Sequence, residues 1–452
     1  MSLRSTAGPR EWLGLAVLVL PTLLLAMDAT ILYLALPSLS ADLRPSPSEL
    51  LWITDAYGFL VAGFLVTMGT LGDRIGRRRL LLIGAAAFLA TSILAACAIS
   101  PTMLIIARAL LGIAGATLMP STLALISNMF ADGRQRGTAI GIWAAGLSGG
   151  VALGPVVGGV LLEWFWWGSA FLVAVPVMAL LLIAGPLLLP EYRDPQPGIL
   201  DLGSVLLSLG SVLPFIFGIK QLAEGQLAPA AAGLVVGVVL GVFFVRRQRG
   251  LSAPLVDVGL FGSPRFRGAL IVLLGALAAV AGGYLFVSLY LQQGLALSPL
   301  RAGLWLLPSA AAMILTSILS PALAQRIPAG RLMGFALLLS AIGFLVLTQV
   351  NSALAAAAGL VVIYLGQGPI MALGTELVVS SAPPARAGAA SALSETSVEF
   401  GLAFGVAVLG SIGLLIERSH GFTDGLAVVA VIGAAACLAL AAVAFRSIRT
   451  AT

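Results

Sequence analysis

The chain has 452 residues, of which 60% are hydrophobic and 9% are charged, and its formal net charge is +6. This composition excludes an ordinary soluble domain and is typical of a polytopic helical membrane protein. The apolar runs are continuous rather than alternating, which excludes a spanning β-barrel. Basic residues are spread over the loops, so the positive charge indicates membrane topology, and no nucleic-acid partner is expected.

Apolar segments of about 20 residues, the length needed to cross a bilayer, follow one another along the whole chain. We predict fourteen transmembrane helices, at residues 12–38, 49–71, 79–98, 102–128, 136–162, 166–189, 200–219, 228–245, 268–292, 302–324, 331–349, 353–378, 386–416 and 425–445. The longest inner connection, residues 246–267, is too short for a folded domain. We therefore expect an all-α membrane protein that is not an enzyme.

The distribution of basic residues orients these spans. If the N-terminus is cytoplasmic, most of the 24 Lys and Arg residues fall in inner segments, and Arg108 lies within a span. The outer segments then hold only Arg44, Lys220, Arg301 and Arg418. Because positive charge concentrates on the cytoplasmic side, both termini are predicted to be cytoplasmic.

A short internal sequence repeat suggests that the chain is built from two related halves. Residues 72–80 and 324–332 share an Arg-Ile pair and a later Arg-Leu pair, and each segment joins two spans on the inner side. The first segment precedes the third span and the second precedes the eleventh. This difference of eight spans predicts two six-helix bundles, residues 1–190 and 251–452, with two inserted helices in residues 191–250. Such repeats, with a binding site between them, are typical of secondary transporters.

The first two spans each carry an embedded acid, Asp28 and Asp55. An ionisable side chain inside a span costs on the order of 2.5–3.5 kcal/mol on insertion scales, so it indicates a functional site. The alternatives are a structural ion pair for Asp28 and an interfacial position for Asp55. Nearby aromatic residues are candidates for a cation–π lining or, alternatively, for interface anchors. They are Tyr33, Trp52, Tyr57 and Trp143.

The loop after the second span concentrates charge in a weakly charged chain. Residues 69–80 contain one acid and four arginines, and their glycines permit a tight turn. We interpret this loop as a conformational gate, in which Asp73 caps the third helix and pairs with Arg134 or Arg136 of the next inner loop. The predicted gate residues are Gly69, Gly72, Asp73, Arg74, Gly76, Arg134 and Arg136.

The fourth span contains Arg108, for which the alternative to a site near Asp28 is again an interfacial position. In the fifth span, Gly150, Gly154 and Gly158 share one face, and Gly159 follows directly. Pro155 is expected to kink this helix, while the small face permits close backbone approach. Such a face suits a moving interface, although ordinary small-residue packing gives the same pattern.

The thirteenth span carries Glu395 and Glu399, four residues apart and therefore on one face. Two charged carboxylates repel, which favours a shared, exchangeable proton. A carboxylate that can hold either H⁺ or a cationic substrate is what a proton-coupled cation carrier needs. The alternative is a polar seam facing neighbouring helices.

Other chemistries lack their motifs in this sequence. His420 is the only histidine, so no His-based metal site or triad is expected. No Gly-x-x-x-x-Gly-Lys-Ser/Thr loop is present, so the chain is not expected to hydrolyse nucleotides. We expect no cofactor, with the energy supplied by an ion gradient.

Four segments resemble motifs of the major facilitator superfamily, in its branch of fourteen-helix drug:proton antiporters. They are the loop at 69–80, residues 27–37 of the first span, residues 107–116 of the fourth, and the Gly-Pro stretch at 150–159 of the fifth. Residues 51–57 and the Glu395/Glu399 pair are similar to those of pumps for quaternary ammonium compounds, dyes and methyl viologen. One departure is that some relatives have Asp where this chain has Glu399, which puts the substrate range in doubt.

The resemblance implies the superfamily fold and a monomeric multi-pass antiporter of a bacterial inner membrane, with lipophilic cations, H⁺ and lipid as its partners. It implies that Asp28, Asp55, Glu395 and Glu399 take part in cation recognition and proton coupling, and Arg108 is expected near Asp28. The alternatives are an exporter of one neutral or anionic metabolite and, from another class, a membrane receptor that binds ligand without transport.

Overall fold

The computed structural model describes residues 7–193, 201–223, 225–251, 254–256, 258–381 and 387–447. Within these ranges the chain forms sixteen α-helices and no strands. The helices are α1 Pro9–Leu43, α2 Pro47–Ile75, α3 Arg77–Ala96, α4 Pro101–Met129, α5 Gly133–Trp164, α6 Ser169–Leu172, α7 Ala174–Leu188, α8 Leu202–Ala223, α9 Leu227–Gly250, α10 Pro264–Leu289, α11 Pro299–Ala324, α12 Ala329–Leu347, α13 Ala353–Ser380, α14 Ala387–Gly405, α15 Ser411–His420 and α16 Phe422–Ser447.

Fourteen segments of the described chain are long and apolar enough to cross a membrane, which confirms the predicted number. The short α6 and the longer α7 together form one of them. In another, α14 continues through a π-helical turn, Val406–Gly410, into α15. The all-helical membrane fold is therefore as the sequence predicts, while the cytoplasmic position of the termini and the division into bundles stay predictions.

Ser-Pro pairs start four of the helices that build the bundle. In each pair the serine hydroxyl accepts a hydrogen bond, 3.2–3.5 Å long, from the backbone N–H of the third residue that follows. The proline occupies the first helical position, where no backbone donor is needed. The capping residues are Ser46 of α2, Ser100 of α4, Ser263 of α10 and Ser298 of α11. These caps fix where α2 and α4 begin, and therefore how far along each helix Asp55 and Arg108 lie.

The inserted helices α8 and α9 pack against each other, and α8 also packs against the rest of the protein. Its Ile216 is buried in an apolar cluster with Phe59 of α2, Ala403 of α14 and Ala407 of the π-helical turn. The expectation that Lys220 lies in an outer loop is wrong. Helix α8 continues past this residue to Ala223, and the lysine is buried against α2.

At the start of α8, a charged hydrogen-bond network joins the two inserted helices. Arg247 of α9 donates to the Asp201 carboxylate at 2.9 Å, and the backbone N–H of Ser204 donates to it at 3.1 Å. Chiefly because of the hydrogen bond from Arg247, the pKa of Asp201 is lowered to about 2. The pair therefore stays charged at any physiological pH.

The predicted role of Asp73 as the cap of α3 is wrong, because α2 continues through this residue. Its carboxylate pairs with Arg77, one turn further along the chain, at 2.6 Å. The N-cap of α3 is Gly76, and no side-chain cap is formed there. The side chain of Arg134 lies outside those described, and the described salt bridges of Asp73 do not include Arg136.

The loop between α2 and α3 is anchored to the segment that follows α7. Gly76 has a φ of 112°, a conformation that favours glycine, and a Cβ at this position would collide with Glu191. The backbone N–H of Arg77 donates to the carbonyl of Tyr192 at 2.9 Å. The backbone N–H of Arg78 donates to the Glu191 carboxylate at 3.0 Å. The end of the first six spans therefore holds this turn in place.

The glycine face of α5 packs directly on the backbone and side chains of α1. The facing pairs are Gly150 with Leu23, Gly154 with Thr30 and Gly158 with Ile31. Towards the end of α5, Gly159 packs on the backbone of Leu300 in α11, and Gly303 of α11 packs on the carbonyl of Pro155. Close approach at small residues therefore joins the first six spans to the last six at this end of the bundle.

We expect Gly159→Ala to lower the apparent melting temperature of the purified protein. Its Cβ would meet the α11 backbone at 2.7 Å, and overpacking of this kind costs about 1–3 kcal/mol. The matched control is Gly149→Ala in the same helix, where a Cβ meets nothing within 4 Å. There alanine should stabilise the helix by up to about 1 kcal/mol. Thermal unfolding in detergent measures both, and equal shifts would contradict the tight contact.

Candidate functional site

A cavity lies in the middle of the bundle, and its space, part of which is open to solvent, amounts to about 1240 Å³. Residues of α1, α2, α4 and α5 line one side, and residues of α10, α11, α13 and α14 line the other. Both the first six and the last six spans therefore contribute to a single chamber.

Arg108 of α4 connects three helices at the edge of this cavity. Its Nη1 lies 2.5 Å from Oδ2 of Asp28 in α1, and its Nε donates to the carbonyl of Ile53 in α2 at 3.1 Å. The guanidinium carbon stands 4.7 Å from the centroid of the Tyr57 ring. Only 1% of Arg108 and 11% of the Asp28 side chain are exposed, so both groups are buried between helices. The structure brings Arg108 and Asp28 together as the sequence predicts.

Asp55 of α2 also has a basic partner, supplied by the inserted helix α8. The Lys220 ammonium lies 3.0 Å from both carboxylate oxygens of Asp55, and both side chains are fully buried. The same ammonium lies 3.8 Å from the centroid of the Trp52 ring, which is cation–π distance. Asp55 therefore lines the central cavity and is neutralised by a lysine, and it is not exposed at the protein surface.

Glu399 lines the cavity from α14, which packs against α2, and Glu395 lies one turn away on the same helix, outside the lining. In the part of the chain that the structure describes, neither carboxylate takes part in a salt bridge. The two other embedded acids are paired one-to-one with bases. The glutamates therefore make the central site negative whenever they are ionised, which favours binding of a cation or a proton.

The four aromatic residues singled out from the sequence have different positions. Tyr33 and Tyr57 line the cavity. Trp52 instead contacts the Lys220 ammonium. Trp143 packs inside the protein, where its indole N–H donates to the hydroxyl of Thr122 at 3.2 Å. The structure therefore brings two of the four to the cavity.

Three polar residues of the last six spans line the cavity but were not found from the sequence: Tyr284, Tyr364 and Gln367. The Tyr284 ring lies 5.6 Å from that of Tyr33 and 6.3 Å from that of Tyr364. Among the described residues, the Tyr284 hydroxyl and both amide atoms of Gln367 are buried without a hydrogen-bond partner. A glutamine between two glycines in an apolar span was the available signal.

Comparison with known proteins gives a consistent result. The model of the Major Facilitator Superfamily matches residues 18–406. The chain is 46% identical over 415 residues to the multidrug efflux pump LfrA of Mycolicibacterium smegmatis, covering 91% of this chain and 82% of LfrA. It is 34% identical over 416 residues to the methyl viologen resistance protein SmvA of Salmonella typhimurium, covering 91% of this chain and 83% of SmvA. A solved structure of the peptide transporter POT in complex with sulfate shares the fold, with a TM-score of 0.70 at 18% identity over 96% of this chain and 94% of that one.

We expect Arg108→Met to destabilise the protein by about 3–5 kcal/mol, because it leaves the Asp28 carboxylate buried without its partner. The double variant Asp28→Asn/Arg108→Met removes both charges and should recover most of that loss. Thermal unfolding of the single and double variants in detergent measures the difference. A double variant that is no more stable than Arg108→Met would contradict a direct pairing.

Proposed function

The chain belongs to the major facilitator superfamily, and from this premise we propose that it is a proton-coupled multidrug efflux antiporter. It is a multi-pass membrane transporter rather than an enzyme. Its proposed substrates are lipophilic mono- and divalent cations, such as quaternary ammonium compounds, dyes and methyl viologen. The proposed setting is a bacterial inner membrane, where a monomer works without a cofactor.

The observation that supports this proposal is the Glu399 carboxylate, which has no salt-bridge partner among the described residues and lines a cavity with several tyrosines. In a bilayer, a carboxylate without a basic partner has to bind a proton or a cation, or it costs several kcal/mol. Tyr33 and Tyr57 line the same cavity, and aromatic rings attract organic cations. Competition between one proton and one cation for this carboxylate is the coupling that antiport requires.

The transport cycle follows from that competition. When the cavity faces the cytoplasm, the ionised glutamate attracts the organic cation. Rearrangement of the two six-span halves, in contact at Gly159 and Leu300, then opens the cavity to the other side. Protonation of the glutamate releases the cation, and the neutral, protonated site returns. An inward proton gradient therefore drives outward movement of the substrate.

Asp28 and Arg108 provide a second site at which protonation changes the contacts. While Asp28 is ionised it holds the Arg108 guanidinium, and protonation of Asp28 weakens this ion pair. Arg108 also contacts the backbone of α2 and the Tyr57 ring, so its release from Asp28 would alter the positions of residues that line the cavity. We assign to this pair the transmission of proton binding from α1 to α2 and α4.

A second candidate function is export of one neutral, polar metabolite. Gln367 and the hydroxyl of Tyr284 line the cavity, and among the described residues their polar atoms lack hydrogen-bond partners. Buried donors and acceptors of this kind suit a substrate that carries carbonyl or hydroxyl groups. This function would be favoured if such neutral compounds compete with H⁺ for the protein and cations do not.

We expect inverted membrane vesicles that contain the protein to accumulate ethidium when a pH gradient with an acidic vesicle interior is imposed. Vesicles without the protein and vesicles treated with a proton ionophore are the controls. Asp28→Asn should abolish the pH-driven component, because its Arg108 contact no longer depends on protonation. Full pH-driven transport by Asp28→Asn would contradict the role of this acid, and no transport by the unaltered protein would contradict cation antiport.

Single glutamine substitutions should separate the two glutamates of α14. Glu399→Gln removes the carboxylate that lines the cavity, and we expect pH-driven transport of ethidium to fall sharply. Glu395→Gln, one turn outside the lining, should have a smaller effect. The two variants should also change mono- and divalent cation transport unequally. If both behave like the unaltered protein, the pair is structural.

A further inference from the structure

The ammonium group of Lys220 occupies a site that has the chemistry of a cation receptor. It lies between the Asp55 carboxylate, 3.0 Å from each oxygen, and the face of the Trp52 ring, 3.8 Å from the centroid. A carboxylate beside an aromatic face is the arrangement that binds organic ammonium groups. Here the occupant is a side chain of the protein itself, supplied by the inserted helix α8.

The position of this ion pair links it to the central cavity. Asp55 lines the cavity that also contains Glu399. Lys220 lines a separate, shallow groove between the start of α2 and α15. The ion pair therefore stands between the two spaces, and withdrawal of the lysine would leave the Asp55 carboxylate facing the cavity.

Docking of α8 does not depend on this pair alone. Ile216 already buries an apolar surface against Phe59 of α2 and against Ala403 and Ala407. A buried ion pair contributes little net stability, because desolvation of the two charges offsets their attraction. Withdrawal of the ammonium alone would leave the Asp55 carboxylate without a counter-charge, which is costly unless another cation takes its place. The pair is therefore suited to the exchange of one cation for another.

We propose that Lys220 is a tethered competitor for a second cation subsite, formed by Asp55 and Trp52. A monovalent cation binds at Glu399 and leaves the lysine in place. An organic dication places its second cationic group against Asp55 and Trp52 once the ammonium has withdrawn. This inference rests on the proposed export of cations, and it assigns to α8 the discrimination between singly and doubly charged substrates.

The test compares two dyes that share one ring system, ethidium with one cationic charge and propidium with two. Equilibrium binding to the purified protein is followed by dye fluorescence, with no pH gradient. Lys220→Met removes the competitor, so we expect the propidium Kd to fall roughly fivefold or more while the ethidium Kd changes little. Lys220→Arg, which retains a positive charge, is the matched control and should not produce this gain.

The double variant Asp55→Asn/Lys220→Met keeps the site neutral and tests the carboxylate even if Lys220→Met does not fold. It should raise the ratio of propidium Kd to ethidium Kd roughly fivefold relative to the unaltered protein. Equal changes for both dyes in Lys220→Met, or an unchanged ratio in the double variant, would overturn the subsite. Unaltered protein that binds neither dye would instead overturn the proposed function.

Discussion

The constraint on which this structure depends is that charge inside a bilayer has to be neutralised. The chain meets it in two ways. Asp28 with Arg108, and Asp55 with Lys220, form ion pairs in which the two charges cancel. Glu399 has no ionic partner in the described chain and instead lines a cavity. A buried charge without a protein partner is costly, and this cost is the basis of the proposal that Glu399 exchanges a proton for a cation.

The sequence predicts those features that depend on local pattern. Apolar run length gives fourteen spans, and the cost of embedded charge identifies the acids and Arg108. The burial of Lys220 is not predicted from the sequence, because this residue follows the last strongly apolar residues of its span, where a lysine ordinarily reaches the membrane surface. Only the docking of α8 on α2 shows that it is buried. Tyr284 carries no charge, and nothing in the composition of its span separates a cavity wall from ordinary packing, whereas Gln367 between two glycines gives only a polar signal without charge.

The loop between α2 and α3 shows how helix boundaries limit such predictions. The glycines of this loop do form a tight turn, and Gly76 adopts the conformation that favours glycine. The role of Asp73, however, depends on whether α2 ends before or after it. Because the helix continues, its carboxylate reaches Arg77 one turn further on and does not cap α3. One turn of helix thus changes the assigned partner of a charged residue.

The two ion pairs differ in what holds their partners. Asp28 and Arg108 both belong to the first six spans, so a rigid-body movement of the two halves leaves their distance unchanged. Lys220 belongs to an inserted helix that packs on Phe59 of the first half and on Ala403 of the second. Any relative movement of the halves must therefore shift α8 against one of its two supports. Of the two ion pairs, Asp55–Lys220 is the one whose distance such a movement would change, because only Asp55 moves with α2.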